Sequence, residues 1–298
     1  VEDRRGGRLS APCVELSAGV ARLLVSREGA EARAWRVGVR DLLWSGETGH
    51  WDRIAPILFP CVGWSRDGLV RIDGAAYPMP VHGFAASSMF DLVDHGPSSA
   101  TFELRDTAAT RTHFPFAFRL RVSYALGERS LDIDVKVENA GAQVMPYACG
   151  LHPGFAWPFA GGAQEAHRIR FAREERPEVP VIAPGGLFSS RTRRVPLQGR
   201  TLALEPALFE REALCFLDAR SRRVALEGPG GAIEAEADGF RHWALWSRPG
   251  APFLCIEAWT GHGDPEGFSG ALSEKPSIDV LAPGEVRRHA LALRFRAA

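Results

Sequence analysis
An all-β fold, a large antiparallel β-sandwich, is the architecture this sequence predicts, and three observations carry that expectation. Apolar residues alternate with polar ones over many short segments, the signature of half-buried strands. A long amphipathic helix is hard to find. The 31 glycines and 21 prolines are spread along the chain rather than gathered into a linker, so residues 1–298 read as a single domain built on one core.

The clearest hairpin lies at the centre. Phe116, Phe118, Leu120, Val122 and Tyr124 alternate with Ala117, Arg119, Arg121 and Ser123, and Leu131, Ile133, Val135 and Val137 alternate with Asp132, Asp134 and Lys136. Leu126 to Arg129 links the two as a turn. Further strands are expected near Val20 to Val25, Val70 to Ile72, Arg223 to Leu226 and Ile233 to Ala237. Trp243 to Trp246, Phe253 to Trp259 and His289 to Phe295 complete the set. Asp67-Gly68, Asp73-Gly74 and Asp238-Gly239 are turn dipeptides. Ala207 to Leu214, with Pro206 suited to a first turn, reads as one short helix.

Composition excludes several functions. The formal net charge is zero, which gives no electrostatic footprint for nucleic acid or an anionic membrane. No apolar run approaches the ~20 residues that span a bilayer, and the N-terminus lacks a signal-peptide core, so a cytoplasmic protein is expected. Five widely spaced cysteines, without a CxxC pair or a Cys/His cluster, suggest neither disulfides nor a metal site. Only Lys136 and Lys275 are lysines among the 36 basic residues, an excess of arginine that reads as coding bias.

Three stretches place ionisable residues among apolar neighbours: Val81 to Ala85 with His82, Gly150 to Phe155 with His152, and Leu254 to Gly261 with Glu257. In the last, alternation puts Phe253, Cys255, Glu257 and Trp259 on one face and Leu254, Ile256 and Ala258 on the other. Both faces are apolar apart from the glutamate, so this is an interior strand. An unpaired buried carboxylate is costly, which leaves two readings: a structural carboxylate held by an arginine, or a general base in a pocket. Pro153-Gly154 break the strand after His152 and leave its ring at a strand end. Each histidine taken alone reads more readily as a satisfied core or loop residue than as a catalyst. Two histidines and a glutamate together suffice for proton transfer in opposite senses, which points to an enzyme. Of the eight tryptophans, one or two are candidates to stack on a sugar ring.

The order of these motifs, HGF, then HPGF about seventy residues on, then CIE near the C-terminus, resembles the aldose 1-epimerase (galactose mutarotase) family, in its bacterial branch not tied to galactose. Trp44-Ser-Gly, Trp51, Arg53 to Pro60, Gly63, Asn139, Met145-Pro146 and Leu281 to Glu285 extend the resemblance from about Leu43 to the end. It implies a sandwich of the galactose mutarotase type, no metal or cofactor, and a free aldose as the small-molecule substrate of a monomer or homodimer. Carried over by motif, Glu257 takes the proton of the C1 hydroxyl, His152 protonates the ring oxygen, and His82 hydrogen-bonds the sugar. Arg53, Trp259 and Phe155 are the expected sugar contacts. His152 and Glu257 are expected on opposite walls of one pocket, no more than a sugar's width apart.

Two positions depart from the branch: Ala86 stands where an arginine commonly follows HGFA, and Ala258 where a proline commonly follows CIE. Three readings compete. A hexose-6-phosphate 1-epimerase needs two or more convergent arginines. A non-catalytic carbohydrate-binding protein needs no acid and base, and a glycosidase usually needs two carboxylates.

Overall fold
A computed structural model describes residues 12–47, 49–159 and 161–298. Nine strands form the larger sheet, in the order Thr201–Ala203, Arg168–Phe171, Arg223–Gly228, Gly231–Asp238, Val286–Ala297, Ser130–Asn139, Phe118–Gly127, Ser99–Arg105 and Asp91–His95. Its spine is the hairpin read from alternation, registered from Phe118↔Asn139 to Gly127↔Ser130, with the turn at Glu128-Arg129. Leu120, Val122, Tyr124, Leu131, Val135 and Val137 are buried, while their alternates face outward or are half-buried. Every strand pairing among the described residues is antiparallel, apart from isolated parallel bridges at Phe59 and Phe188.

The second sheet is smaller and more buried. Its order is Leu214–Phe216, His242–Trp246, Phe253–Trp259, Gly150–Leu151 and Ile57–Leu58, with Gly154–Ala156 also paired to Phe253–Trp259. Phe253–Trp259 is buried at every position, as a strand with two apolar faces should be. The two sheets share a core in which Phe59 meets Phe118 at 5.0 Å between ring centroids and the Tyr147 hydroxyl meets His289 Nε2 at 2.8 Å. A four-stranded sheet of Cys13–Ala18, Ala21–Ser26, Ala32–Val37 and Arg40–Asp41 adds to this core, where Tyr124 donates to the Ala30 carbonyl at 2.6 Å. The fold is a large antiparallel β-sandwich of the galactose mutarotase type.

Asp73 and Gly74 both have positive φ and close a two-residue hairpin between Ile72 and Ala75. The helix expected over Ala207 to Leu214 does not form. A single 3-10 turn spans Pro206–Phe209, Glu212 takes φ 80°, and Leu214 begins a strand. So short a segment has too few hydrogen bonds to offset helix nucleation, and pairing of Leu214 with Leu245 wins. Cys61, Cys149, Cys215 and Cys255 are buried thiols. No helix of the described residues is long and apolar enough to cross a membrane.

Candidate active site
Strand register builds the site. Leu151 pairs with Ala258 and Gly154 with Cys255, so the two residues between them, His152 and Pro153, lie opposite Glu257 and Ile256. Directly opposed residues of an antiparallel pair project on the same face. His152 and Glu257 are therefore cross-strand neighbours, with His152 Nε2 3.2 Å from Glu257 Oε2. The expectation of opposite walls is corrected: His152 and Glu257 stand side by side on one wall. Next in register, Ala244 and Cys215 continue the row away from Glu257.

This wall closes one side of a cavity of about 700 Å³, lined by His82, His152 and Glu257 together with Arg53 and Trp259. Trp51, Trp64, Phe188, Trp246 and Arg248 line it too. Trp51 lies against the His152 ring at 4.9 Å between centroids, and Trp246 meets it edge-on at 5.8 Å. Trp259 shares the face of Glu257 by the two-residue period and donates its indole N–H to Oε2 at 3.0 Å. Trp64 stays half-exposed, its ring over Gly186, where a Cβ would come within 1.8 Å of it.

Phe155 is not a sugar contact. It pairs with Leu254, which alternation turns away from Glu257, and it is fully buried in the main core. The reason is strand parity: three residues beyond His152, the chain presents its other face.

His82 reaches the cavity through a strained loop. Its φ is 64°, a conformation uncommon for a residue with a Cβ. Its backbone N–H donates to the Gly63 carbonyl at 3.0 Å, and its Nδ1 accepts the Gly63 N–H at 3.1 Å. An accepting Nδ1 leaves the proton on Nε2, so the ring offers a donor to the cavity. Arg53 donates to the Ala86 carbonyl at 2.8 Å. Arg248 lies over Trp246, its guanidinium carbon 5.9 Å from the ring centroid.

Burial decides the protonation of the central pair. Glu257 is 1% exposed and His152 6%, and a dry setting penalises both charged forms. Burial pushes the Glu257 carboxyl well up, partly opposed by the Trp259 hydrogen bond. Burial, then the neighbouring His82, pushes His152 well down. Both shifts favour the neutral forms, a protonated Glu257 beside an uncharged His152. Transfer of that proton between Glu257 Oε2 and His152 Nε2, which lie 3.2 Å apart, would give carboxylate and imidazolium. The arrangement can thus present an acid and a base at adjacent points without exchanging a proton with solvent. Among the described residues no group of three or more His, Cys, Asp or Glu side chains could hold a metal ion.

Glu31 supports the edge that carries Trp51 and Arg53. It is 3% exposed, and its Oε1 accepts the backbone N–H groups of Ile54 at 2.8 Å and Ala55 at 2.9 Å. Glu31→Ala strands both amides, and an expected loss of about 2–4 kcal/mol should appear in urea unfolding; a loss under about 1 kcal/mol would contradict this role.

The buried histidines also make stability depend on pH. Burial lowers His82 to about 4 and His242 to about 3, from an ordinary value of 6.5. Both rings are neutral in the native state and charge more readily once unfolded, so below pH 6.5 the unfolded chain binds more protons. Their contribution is full above that value and lost as pH falls through about 4 and then about 3, by of order 3 kcal/mol each. Urea midpoints should therefore drop between pH 7.5 and pH 4.5, by less in His242→Gln; midpoints that hold steady would count against it.

The sequence and the fold have counterparts among known proteins. Residues 12–294 match the family described as Aldose 1-epimerase. Protein LacX (plasmid) of Lactococcus lactis subsp. lactis is 28% identical over 255 residues, 82% of this chain and 85% of that protein. A crystal structure of a galactose mutarotase-like protein from Lactobacillus casei superposes with a TM-score of 0.90 at 25% identity, over 96% of this chain and 100% of that one. Galactose 1-epimerase from Lactobacillus acidophilus shares the fold at 12% identity, with a TM-score of 0.69 over 100% of this chain and 98% of that one. With all but the ends of the chain matched, the protein is a member of the aldose 1-epimerase family.

Proposed function
We propose that the protein is a mutarotase that interconverts the α and β anomers of a free aldose by opening and closing the sugar ring. The observation that carries this reading is the His152–Glu257 contact at 3.2 Å inside a cavity also lined by His82. Ring opening removes a proton from the C1 hydroxyl and adds one to the ring oxygen, two atoms attached to the same carbon. An acid and a base side by side suit that geometry, whereas hydrolysis across a bond wants two separated carboxylates.

Once the sugar is bound, proton transfer from Glu257 to His152 puts the pair in its charged form, from which ring opening starts. Glu257 carboxylate accepts the C1 hydroxyl proton, His152 imidazolium protonates the ring oxygen, and the C1–O5 bond breaks to leave an aldehyde. Rotation about C1–C2 presents the other face of the carbonyl. In closure Glu257 returns its proton to the carbonyl oxygen and His152 takes back the hydroxyl proton. The open-chain state has a neutral acid and a neutral imidazole, the forms that burial favours. Each proton-transfer group typically contributes about 10²–10⁴ in rate. His82 Nε2–H donates to a sugar oxygen, and the indoles of Trp51 and Trp246 supply faces for C–H contact.

A second reading has one observation in its favour. Arg53 and Arg248 both line the cavity, and among the described residues neither forms an ion pair with a carboxylate. Two such cations suit a sugar 6-phosphate, although Ala86 contributes no third. Polarimetry of freshly dissolved α-D-glucose and α-D-galactose, beside coupled assays with their 6-phosphates, separates the readings. Faster mutarotation of a free sugar supports the proposal. Acceleration confined to the phosphates moves the substrate class, and binding without acceleration of any aldose favours a carbohydrate-binding protein.

A further inference from the structure
Lys275 is one of two lysines in the chain, and unlike the exposed Lys136 it is 3% exposed. Its Nζ lies 2.7 Å from Asp264 Oδ1, and Asp264 is equally buried. Burying an ion pair is costly unless the geometry is good and further hydrogen bonds satisfy the groups. One further hydrogen bond reaches the Asp264 carboxylate, whereas among the described residues the buried Lys275 ammonium makes no hydrogen bond besides this contact, and Asp264 is a junction between three segments. Its Oδ2 accepts the Arg66 N–H at 2.8 Å, its backbone N–H donates to the Trp64 carbonyl at 2.8 Å, and its carbonyl accepts the Phe188 N–H at 2.9 Å. Trp64 and Phe188 both line the cavity.

Gly63 links this junction to the site. It packs so closely on Gly263 that a Cβ at 63 would lie 2.7 Å from that residue's backbone. Its N–H and carbonyl are the two groups that grip His82, at Nδ1 and at the backbone N–H. Contact therefore runs without a gap from Lys275 through Asp264 and Gly263 to Gly63 and His82.

We propose that the buried Lys275–Asp264 pair is a positioning device for His82: it holds the Gly63–Arg66 loop in the arrangement that presents the Gly63 N–H to Nδ1, and so fixes His82 as the Nε2–H tautomer. The Arg66 amide is held by a buried carboxylate whose other oxygen lies against the Lys275 ammonium, which offsets the cost of burying it. Lys275 acts through His82 and touches no substrate. The role in sugar binding rests on the mutarotase reading, whereas the tautomer itself can be read without it.

The test is nitrogen NMR of the histidine rings in the sugar-free protein, with the His82 signals assigned by difference from His82→Gln. Wild type should show a proton on Nε2 and none on Nδ1. Lys275→Met should mix the two tautomers, and Lys275→Arg should restore much of the wild-type pattern. Should Lys275→Met fail to fold, Lys275→Met with Asp264→Asn removes the stranded charge yet keeps an acceptor for the Arg66 amide, and it should show the same mixing. In sugar kinetics the loss should fall mainly on KM, by about tenfold, the value of one hydrogen bond. A wild-type His82 protonated at Nδ1 overturns the proposal. So does a neutralised pair that lowers the melting temperature while His82 keeps its wild-type spectrum and KM. If wild type accelerates no aldose, the mutarotase reading fails while the spectra still decide the role of Lys275.

Discussion

Glu257→Gln should lower the acceleration of mutarotation by about 10²–10⁴, equivalent to roughly 3–5 kcal/mol of transition-state stabilisation, with little change in KM. Glutamine keeps the length of the side chain and an oxygen to accept the Trp259 indole N–H, which now lies 3.0 Å from Glu257 Oε2. What it loses is the ability to take a proton. In the proposed reaction one proton serves both Glu257 and His152, which lie 3.2 Å apart, so the two residues should act as a unit. His152→Gln should cost a similar factor, and the double variant should be scarcely worse than either single one, a non-additivity that polarimetry of the three variants would reveal. Stability should move the other way. A fully buried ionisable group is replaced by a neutral one, so the Glu257→Gln variant should melt at or above the wild-type temperature. Activity that survives Glu257→Gln would remove this residue as the base.

Gly83→Ala should be the most damaging single methyl group added near the site. Gly83 has φ 76°, and a Cβ there would sit 2.2 Å from the Phe59 carbonyl oxygen and 2.4 Å from its carbon. These are backbone atoms at the end of the Ile57–Leu58 strand, and they cannot rotate aside. The expected cost is about 3–5 kcal/mol, from conformational strain together with the forced backbone shift. Gly74→Ala is the control: its φ of 79° is similar, but nothing lies within 4 Å of the new carbon, so strain alone should cost about 1–2 kcal/mol. Urea unfolding of both would separate the terms. Equal losses would show that backbone conformation, and not the approach to Phe59, requires glycine at position 83. Since Gly83 adjoins His82, the same variant should also weaken sugar binding.

Strand identity was largely legible because it is a local property. The alternation through Phe118–Gly127 and Ser130–Asn139 and the doubly apolar Phe253–Trp259 each report their own surroundings. Asp73-Gly74 also announced its turn, because positive φ at both positions selects those residue types. The Ala207 to Leu214 segment misled because helix-compatible composition is a weak prior that pairing of Leu214 with Leu245 overrides. The motif histidines and Glu257 could be singled out as residues that folding alone does not call for. Nothing local said where they would meet.

The sequence by itself determined the β-sandwich, the faces of its longer strands and the presence of three ionisable groups in apolar settings, since each follows from a period of two residues and the cost of a buried charge. Only the tertiary structure decided which faces came together. Register between Gly150–Ala156 and Phe253–Trp259 made His152 and Glu257 neighbours on one wall and sent Phe155 into the core. Packing of distant loops added Trp51, Trp64, Phe188 and Trp246 to the cavity and gave the buried Lys275 its partner in Asp264. These contacts join residues far apart in the chain, and their geometry is set by how sheets and loops pack, which no local pattern encodes.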